Sequence, residues 1–201
     1  MDKVRLTRYF IPNYWPIYAI GGASVAFTLF RGDLAPFILT ENMWSPVYLL
    51  GSPFIHGGVG HLFFHVLALH YIGGMLLLPL LGARRFLALF FLAAILAGAA
   101  NNILSDRYGV GISAGVLGMF SCALYRYAYA PMKLLFIHDL FRLRPFAMWK
   151  LGAFIVGLDV AGIVFGWGFF AHWAHLTGFA VGGVFGWFTL ARRRLPGRRL
   201  H

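Results

Sequence analysis

Apolar residues run along this chain in long, nearly unbroken blocks, and the polar residues gather in the gaps between them. A helix that crosses a bilayer needs about 20 predominantly apolar residues, because the hydrocarbon layer is about 30 Å thick and each residue rises about 1.5 Å. On that scale the pattern predicts six spans: Tyr14–Phe30, Phe54–Leu80, Arg85–Leu104, Gly111–Ala130, Trp149–Phe169 and Trp173–Ala191. Gly166 and Gly168 mark the turn between the last two. Between the first two spans, Arg31–Pro53 carries Pro36, Pro46 and Pro53, which argue against a regular spanning helix there. Its Phe37, Trp44 and Tyr48 suit a membrane interface. The expected fold class is an all-α membrane protein: a tail over 1–13, a membrane domain over 14–191 and a basic tail over 192–201.

Composition agrees with that solvent. The chain is 60% hydrophobic and only 11% charged, against about 45–50% and about 25% in an average soluble domain. Too few polar residues exist to coat a soluble fold of 201 residues. Cys122 is the single cysteine, which excludes an internal disulfide and any C-x-x-C metal or redox pattern. It lies in an apolar run and reads as a small packing residue.

The net charge of +11 raises nucleic acid as a partner, but the charges sit between and beyond apolar runs instead of along one face. They read as topology signals, and no nucleic acid is expected. Cytoplasmic loops carry the excess of Lys and Arg. With both termini cytoplasmic, the inner segments hold Lys3, Arg5 and Arg8; Arg84 and Arg85; Arg126, Lys133, Arg142, Arg144 and Lys150; and Arg192, Arg193, Arg194, Arg198 and Arg199. Of the 17 basic residues only Arg31 and Arg107 then fall outside. A competing reading of the N-terminus is a signal peptide ending near Ala23–Ala26, which would leave five spans.

Ionisable groups inside a membrane are costly and mark functional sites by default. His56, His61 and His65 stand at the start of span two, Ser113 at the start of span four, and His172 and His175 at the start of span six. Those three spans all enter from the outer side, so the hydroxyl and the imidazoles arrive at similar depth. A serine hydroxyl is a weak nucleophile until a base takes its proton, and neutral imidazole suits that task. Acyl transfer also needs donors for the developing oxyanion. His61, His65 and the free N–H groups that open span four are candidates. Gly111, Gly115 and Gly118 on span four and Gly178, Gly182 and Gly186 on span six have the spacing that lets helices touch in lipid.

Three motifs at these residues resemble the rhomboid family. They are His56-Gly-Gly-Val-Gly-His61-Leu-Phe-Phe-His65, Gly111-Ile112-Ser113-Ala114-Gly115 and Ala174-His175-Leu176-Thr177-Gly178-Phe179-Ala180-Val181-Gly182. The family's forms are a histidine-rich helix start with H-x-x-x-N, G-x-S-G, and A-H-x-x-G-x-x-x-G. The resemblance covers roughly Phe54–Ala191. It implies a six-transmembrane-helix rhomboid-like bundle and an intramembrane serine protease. Such an enzyme cleaves transmembrane segments of membrane proteins near the outer leaflet, with a Ser–His dyad and no cofactor. Ser113 maps to the nucleophile, His175 to the general base and His61 to an oxyanion donor. Arg31–Pro53 would be the loop that lies partly in the membrane, and Trp149–Phe169 a lateral gate. The compact six-span form suits a bacterial or archaeal cytoplasmic membrane.

Two positions depart from the family: His65 stands where it has Asn, and Ala114 where it has Gly. They motivate an alternative, a catalytically inactive rhomboid-like protein that binds transmembrane segments. A third reading is a metal site built from His61, His65, His172 and His175, whose i, i+4 and i, i+3 spacings could hold zinc. His172, one turn before His175, is open as spectator, relay or alternative base. Asp159 is expected about mid-span five, deeper than His175, where it would brace the bundle through a hydrogen bond.

Overall fold

A computed structural model of the chain describes residues 14–39, 42–105, 108–132, 144–168 and 170–191. Both tails, and with them Lys3, Arg5, Arg8 and the arginines from Arg192 on, lie outside the described residues, as do Arg107, Lys133 and Arg142. What is described is mostly helical. The helices are α1 (Trp15–Leu29), α2 (Arg31–Ile38), α3 (Pro46–Gly51), α4 (Val59–Ala68), α5 (Leu78–Leu104), α6 (Ser113–Tyr127), α7 (Met148–Val164) and α8 (His172–Gly186). The turns widen to π geometry over Leu69–Leu77 after α4 and over Trp187–Ala191 after α8. The strands β1 (Pro131–Met132) and β2 (Phe146–Ala147) pair antiparallel, Pro131 opposite Ala147, and close the connection before α7.

The helical run Val59–Leu104 is long and apolar enough to cross a membrane, and Trp15–Leu29 is a shorter apolar helix. That run is not one rod. Gly82 has φ +72, outside any helix, and breaks it just ahead of Arg84 and Arg85. The break falls between the expected end of the second segment, Leu80, and the expected start of the third, Arg85, and Leu78–Leu81 belongs to the stretch before it. Two later ends shift. The fourth starts at Ser113, after Gly111 at φ +94, and the fifth stops at Val164 instead of Phe169. Gly166 at φ +67 is the reason for that early stop: its N–H donates to Ile163 O (3.3 Å) and the next, Trp167, donates to Gly162 O (2.8 Å), a closed helix terminus. The proline-bearing segment holds two short helices, α2 and α3, and Ser45 caps α3 by accepting from the Tyr48 N–H at 3.1 Å.

Close approaches give the helix directions. Cβ atoms added at Gly111 and Gly73 would meet, respectively, His65 on α4 and Phe86 with Met119, so α4 and α6 run the same way. On α8, Gly178 lies against the backbone of Ala114 and Gly182 against that of Gly118, which makes α6 and α8 parallel too. Gly162 faces His172 and Gly152 faces Phe179, so α7 and α8 are antiparallel. The main core forms where α4, α5 and α6 meet, around Leu69, Phe86, Phe90, Met119 and Phe120, all essentially buried. Large apolar side chains such as Phe63, Phe64, Phe154, Val164, Trp187 and Phe188 are exposed on the outside of the bundle.

Candidate active site

Ser113 is the first residue of α6 and follows the Gly111–Ile112 turn. The turn is held from two sides. Gly111 N–H donates to Ser52 O at 3.2 Å, and Gly109 N–H donates to the hydroxyl of the fully buried Tyr48 at 3.1 Å. A side chain at Gly111 would also lie 3.1 Å from His65 Cε1 and 3.3 Å from His61 Cε1. The absence of a Cβ therefore lets the start of α6 press against both imidazoles. The first N–H groups of α6 have no partner within their own helix.

His175 lies one turn into α8, and its Nε2 is 2.9 Å from Ser113 Oγ. The other ring nitrogen, Nδ1, is 3.0 Å from Asp159 Oδ1. His172 Nδ1 reaches the same oxygen at 2.7 Å. Asp159 and His172 are buried, at 4% and 7% exposed. Asp159 was expected deeper than His175; the finding is different, because α7 ends at Val164 and leaves Asp159 only five residues from its terminus. At about 1.5 Å per residue that is roughly 8 Å of helix. The antiparallel α8 then meets Asp159 at its own first turn.

On α4, His61 and His65 are one turn apart, with ring centroids 4.2 Å from each other. His56 completes a three-ring cluster, 5.3 Å from His61 and 5.2 Å from His65. Gly57 N–H donates to His61 Nδ1 at 3.2 Å, which makes that nitrogen an acceptor and puts the proton on Nε2. His56 Nδ1 lies 3.0 Å from the Phe54 carbonyl, an acceptor only, so there the proton is on Nδ1. His65 Nδ1 is buried without a hydrogen-bond partner among the described residues.

Ala114 does not hold α8 away. Gly178 sits directly on the Ala114 backbone, and the methyl turns to a small cluster with Ala97, Ala174 and Ala171. That cluster borders a cleft beside Ser113, lined also by Ala94 and Gly98. The four imidazoles of the metal reading do not offer a ligand set. His175 has one nitrogen on Asp159 and one on Ser113, and His172 has its Nδ1 on Asp159. Among the described residues no group of three or more His, Cys, Asp or Glu is arranged to hold a metal ion.

Reasoning from the sequence brought Ser113, His175, His61 and His65 to one region, and the structure groups them. It did not bring in the contact of Asp159 with His175. A signal existed: Gly166 as a helix terminator shortens span five and raises Asp159 toward the first turn of α8.

Fold and site together describe an apolar helical bundle with a polar cluster sunk among its helices, which is the make-up of an integral membrane protein. The chain belongs to the rhomboid family: the family model of the Rhomboid domain matches residues 40–192. It is similar to Rhomboid protein 1, mitochondrial, of Saccharomyces cerevisiae, with 30% identity over 188 residues, covering 86% of this chain and 52% of the yeast protein. The chain thus spans about half the length of that relative.

Proposed function

We propose that this chain is an intramembrane serine endopeptidase that cuts transmembrane segments of membrane proteins, with Ser113 as nucleophile and His175 as general base. The observation that carries the proposal is the 2.9 Å separation of His175 Nε2 and Ser113 Oγ. At that distance the imidazole can take the hydroxyl proton as oxygen attacks a scissile carbonyl, and can return it to the leaving amine. The oxyanion that forms is met by His61, whose proton is on Nε2, by His65, and by the free N–H groups opening α6. The cleft of small side chains beside Ser113 receives the substrate.

The membrane arrangement proposed is six spans, α1 and α4 to α8, with both termini cytoplasmic. Several of these helices are shorter than a full crossing: α6 and α8 each have 15 residues, about 22 Å of rise. The Ser113 end of α6 therefore lies below the membrane surface. Non-helical backbone is tolerated there because Tyr48, Ser52 and the α4 histidines cover it. The bacterial or archaeal cytoplasmic membrane expected from the sequence draws no support from a relative named for mitochondria, so the proposed location is an integral membrane one only.

A second reading is an inactive rhomboid-like protein that binds transmembrane segments without cutting them. It is favoured by one observation: His65 occupies the family's Asn position with its Nδ1 buried and unpaired. The two separate on purified protein in liposomes, treated with a labelled fluorophosphonate and with a generic transmembrane substrate. Labelling and cleavage that vanish in both Ser113→Ala and His175→Ala are expected. Wild type that binds the substrate but neither labels nor cleaves it would establish the second reading.

A further inference from the structure

The geometry points to Asp159 as a positioning residue for His175, turning a Ser–His pair into a Ser–His–Asp arrangement, with His172 as the anchor that holds the carboxylate. The inference rests on the nucleophile and base assigned above.

A carboxylate buried at 4% exposure inside a membrane bundle is costly unless it is paired. Asp159 receives two imidazoles on one oxygen, His172 Nδ1 at 2.7 Å and His175 Nδ1 at 3.0 Å. A carboxylate oxygen only accepts here, so both Nδ1 atoms carry protons. That settles the tautomer of His175: Nδ1 donates and Nε2 keeps the lone pair that faces Ser113 Oγ. A neutral imidazole with no partner on Nδ1 would divide between two tautomers, and one of them cannot accept the serine proton. When His175 takes that proton from Ser113 Oγ it becomes imidazolium, and Asp159, still a carboxylate, lies against the new charge. The proton then leaves from Nε2 to the amine, so Asp159 gains and loses none.

The surrounding residues fit this role. His172 and His175 are three apart on α8 and share a face. Asp159 and Gly162 are three apart on α7 and face them. A side chain at Gly162 would collide with the His172 ring at Nε2 and Cε1, so the glycine makes the space that the ring occupies. His172 contacts the carboxylate and not Ser113, which assigns it to bracing the acid rather than to acting as base.

Two measurements test the inference on the full chain in liposomes or detergent. The first compares wild type with Asp159→Asn, in substrate cleavage and in the rate of fluorophosphonate labelling at Ser113, with thermal melting as a check on folding. An amide can donate to Nδ1 and favour the wrong tautomer; the corresponding change in a soluble serine protease costs about 10⁴-fold in kcat. Here kcat and labelling rate are expected to fall by about 10²–10⁴-fold with KM nearly unchanged. His172→Gln keeps a donor for the carboxylate and is expected to lose less than about tenfold. The second needs no functional variant: ¹⁵N spectra of histidine-labelled wild type, with His175 assigned by the loss of its signals in His175→Gln. His175 is expected to be protonated at Nδ1 and bare at Nε2. Equal labelling of wild type and a folded Asp159→Asn, or a His175 protonated at Nε2, would overturn the inference. Wild type that fails to label would instead remove the protease assignment, and the tautomer alone would then decide the role of Asp159.

Discussion

Gly182 of α8 rests directly on the backbone carbonyl of Gly118 in α6, with no space between them for a side chain. Gly178 makes the same approach to Ala114 one turn earlier, and one turn later Gly186 lies against the Tyr125 ring and the Cα of Cys122. In lipid no hydrophobic force drives helices together, so packing at such close range carries the association. This seam also carries Ser113 and His175, which lie at its end. Replacing Gly182 by Val is expected to destabilise the bundle by roughly 1–3 kcal/mol or more, as overpacked cores do. Thermal melting in detergent checks it; Gly157→Val, at a position with open space around its Cβ, should be nearly silent.

Gly111 is constrained twice, by φ +94 and by the His65 and His61 rings, which a Cβ placed there would meet at 3.1 and 3.3 Å. An alanine there pays about 1–2 kcal/mol for the left-handed backbone and pushes on both imidazoles. Gly111→Ala is expected to lower the melting temperature and to slow labelling of Ser113 together. A variant that melts early but labels at the normal rate would separate the turn from the site.

His65 is the residue at which this chain leaves the family's pattern. Its Nδ1 makes no hydrogen bond among the described residues, so the ring is not locked in the orientation a donor needs. His65→Asn is expected to raise kcat. His65→Ala is expected to lower it toward the 10²–10³-fold that loss of one oxyanion donor costs. Steady-state cleavage of a transmembrane substrate reads both; a drop in His65→Asn would mean that the neighbouring rings are fitted to a histidine.

Orientation in the membrane can be read by single cysteines. Cys122 is fully buried and gives little background. In sealed cells an impermeant maleimide is expected to label Asp33→Cys, between α1 and α4, and to label Arg144→Cys, ahead of α7, only after permeabilisation. Labelling of Arg144→Cys in intact cells would invert the proposed topology.

Much of the site was legible because rhomboid motifs are local. Ser113 sits in a short Gly-rich turn and His175 in a run whose glycines recur every four residues, and both patterns survive in a linear reading. Asp159 was legible as a residue but not as a partner. Its relation to His175 depends on where α7 stops, and a hydropathy block extends past the stop because Phe165, Trp167 and Phe169 are as apolar as the helix before them. The Gly82 break, by contrast, was legible, because Arg84 and Arg85 interrupt the apolar pattern there and the second and third spans were expected to part between Leu80 and Arg85.

Apolar periodic blocks, basic residues in the gaps and three short motifs determined the membrane-protein class, the family and the identity of the candidate nucleophile and base. Those features are one-dimensional, because solvent preference and residue spacing act along the chain. The tertiary structure decided the rest: that one carboxylate serves two histidines, that His61 carries its proton on Nε2, and that α8 touches α6 backbone to backbone. These are relations between residues that are remote in sequence, and hydrogen-bond direction and contact distance exist only once separate helices have been brought within a few ångströms of each other.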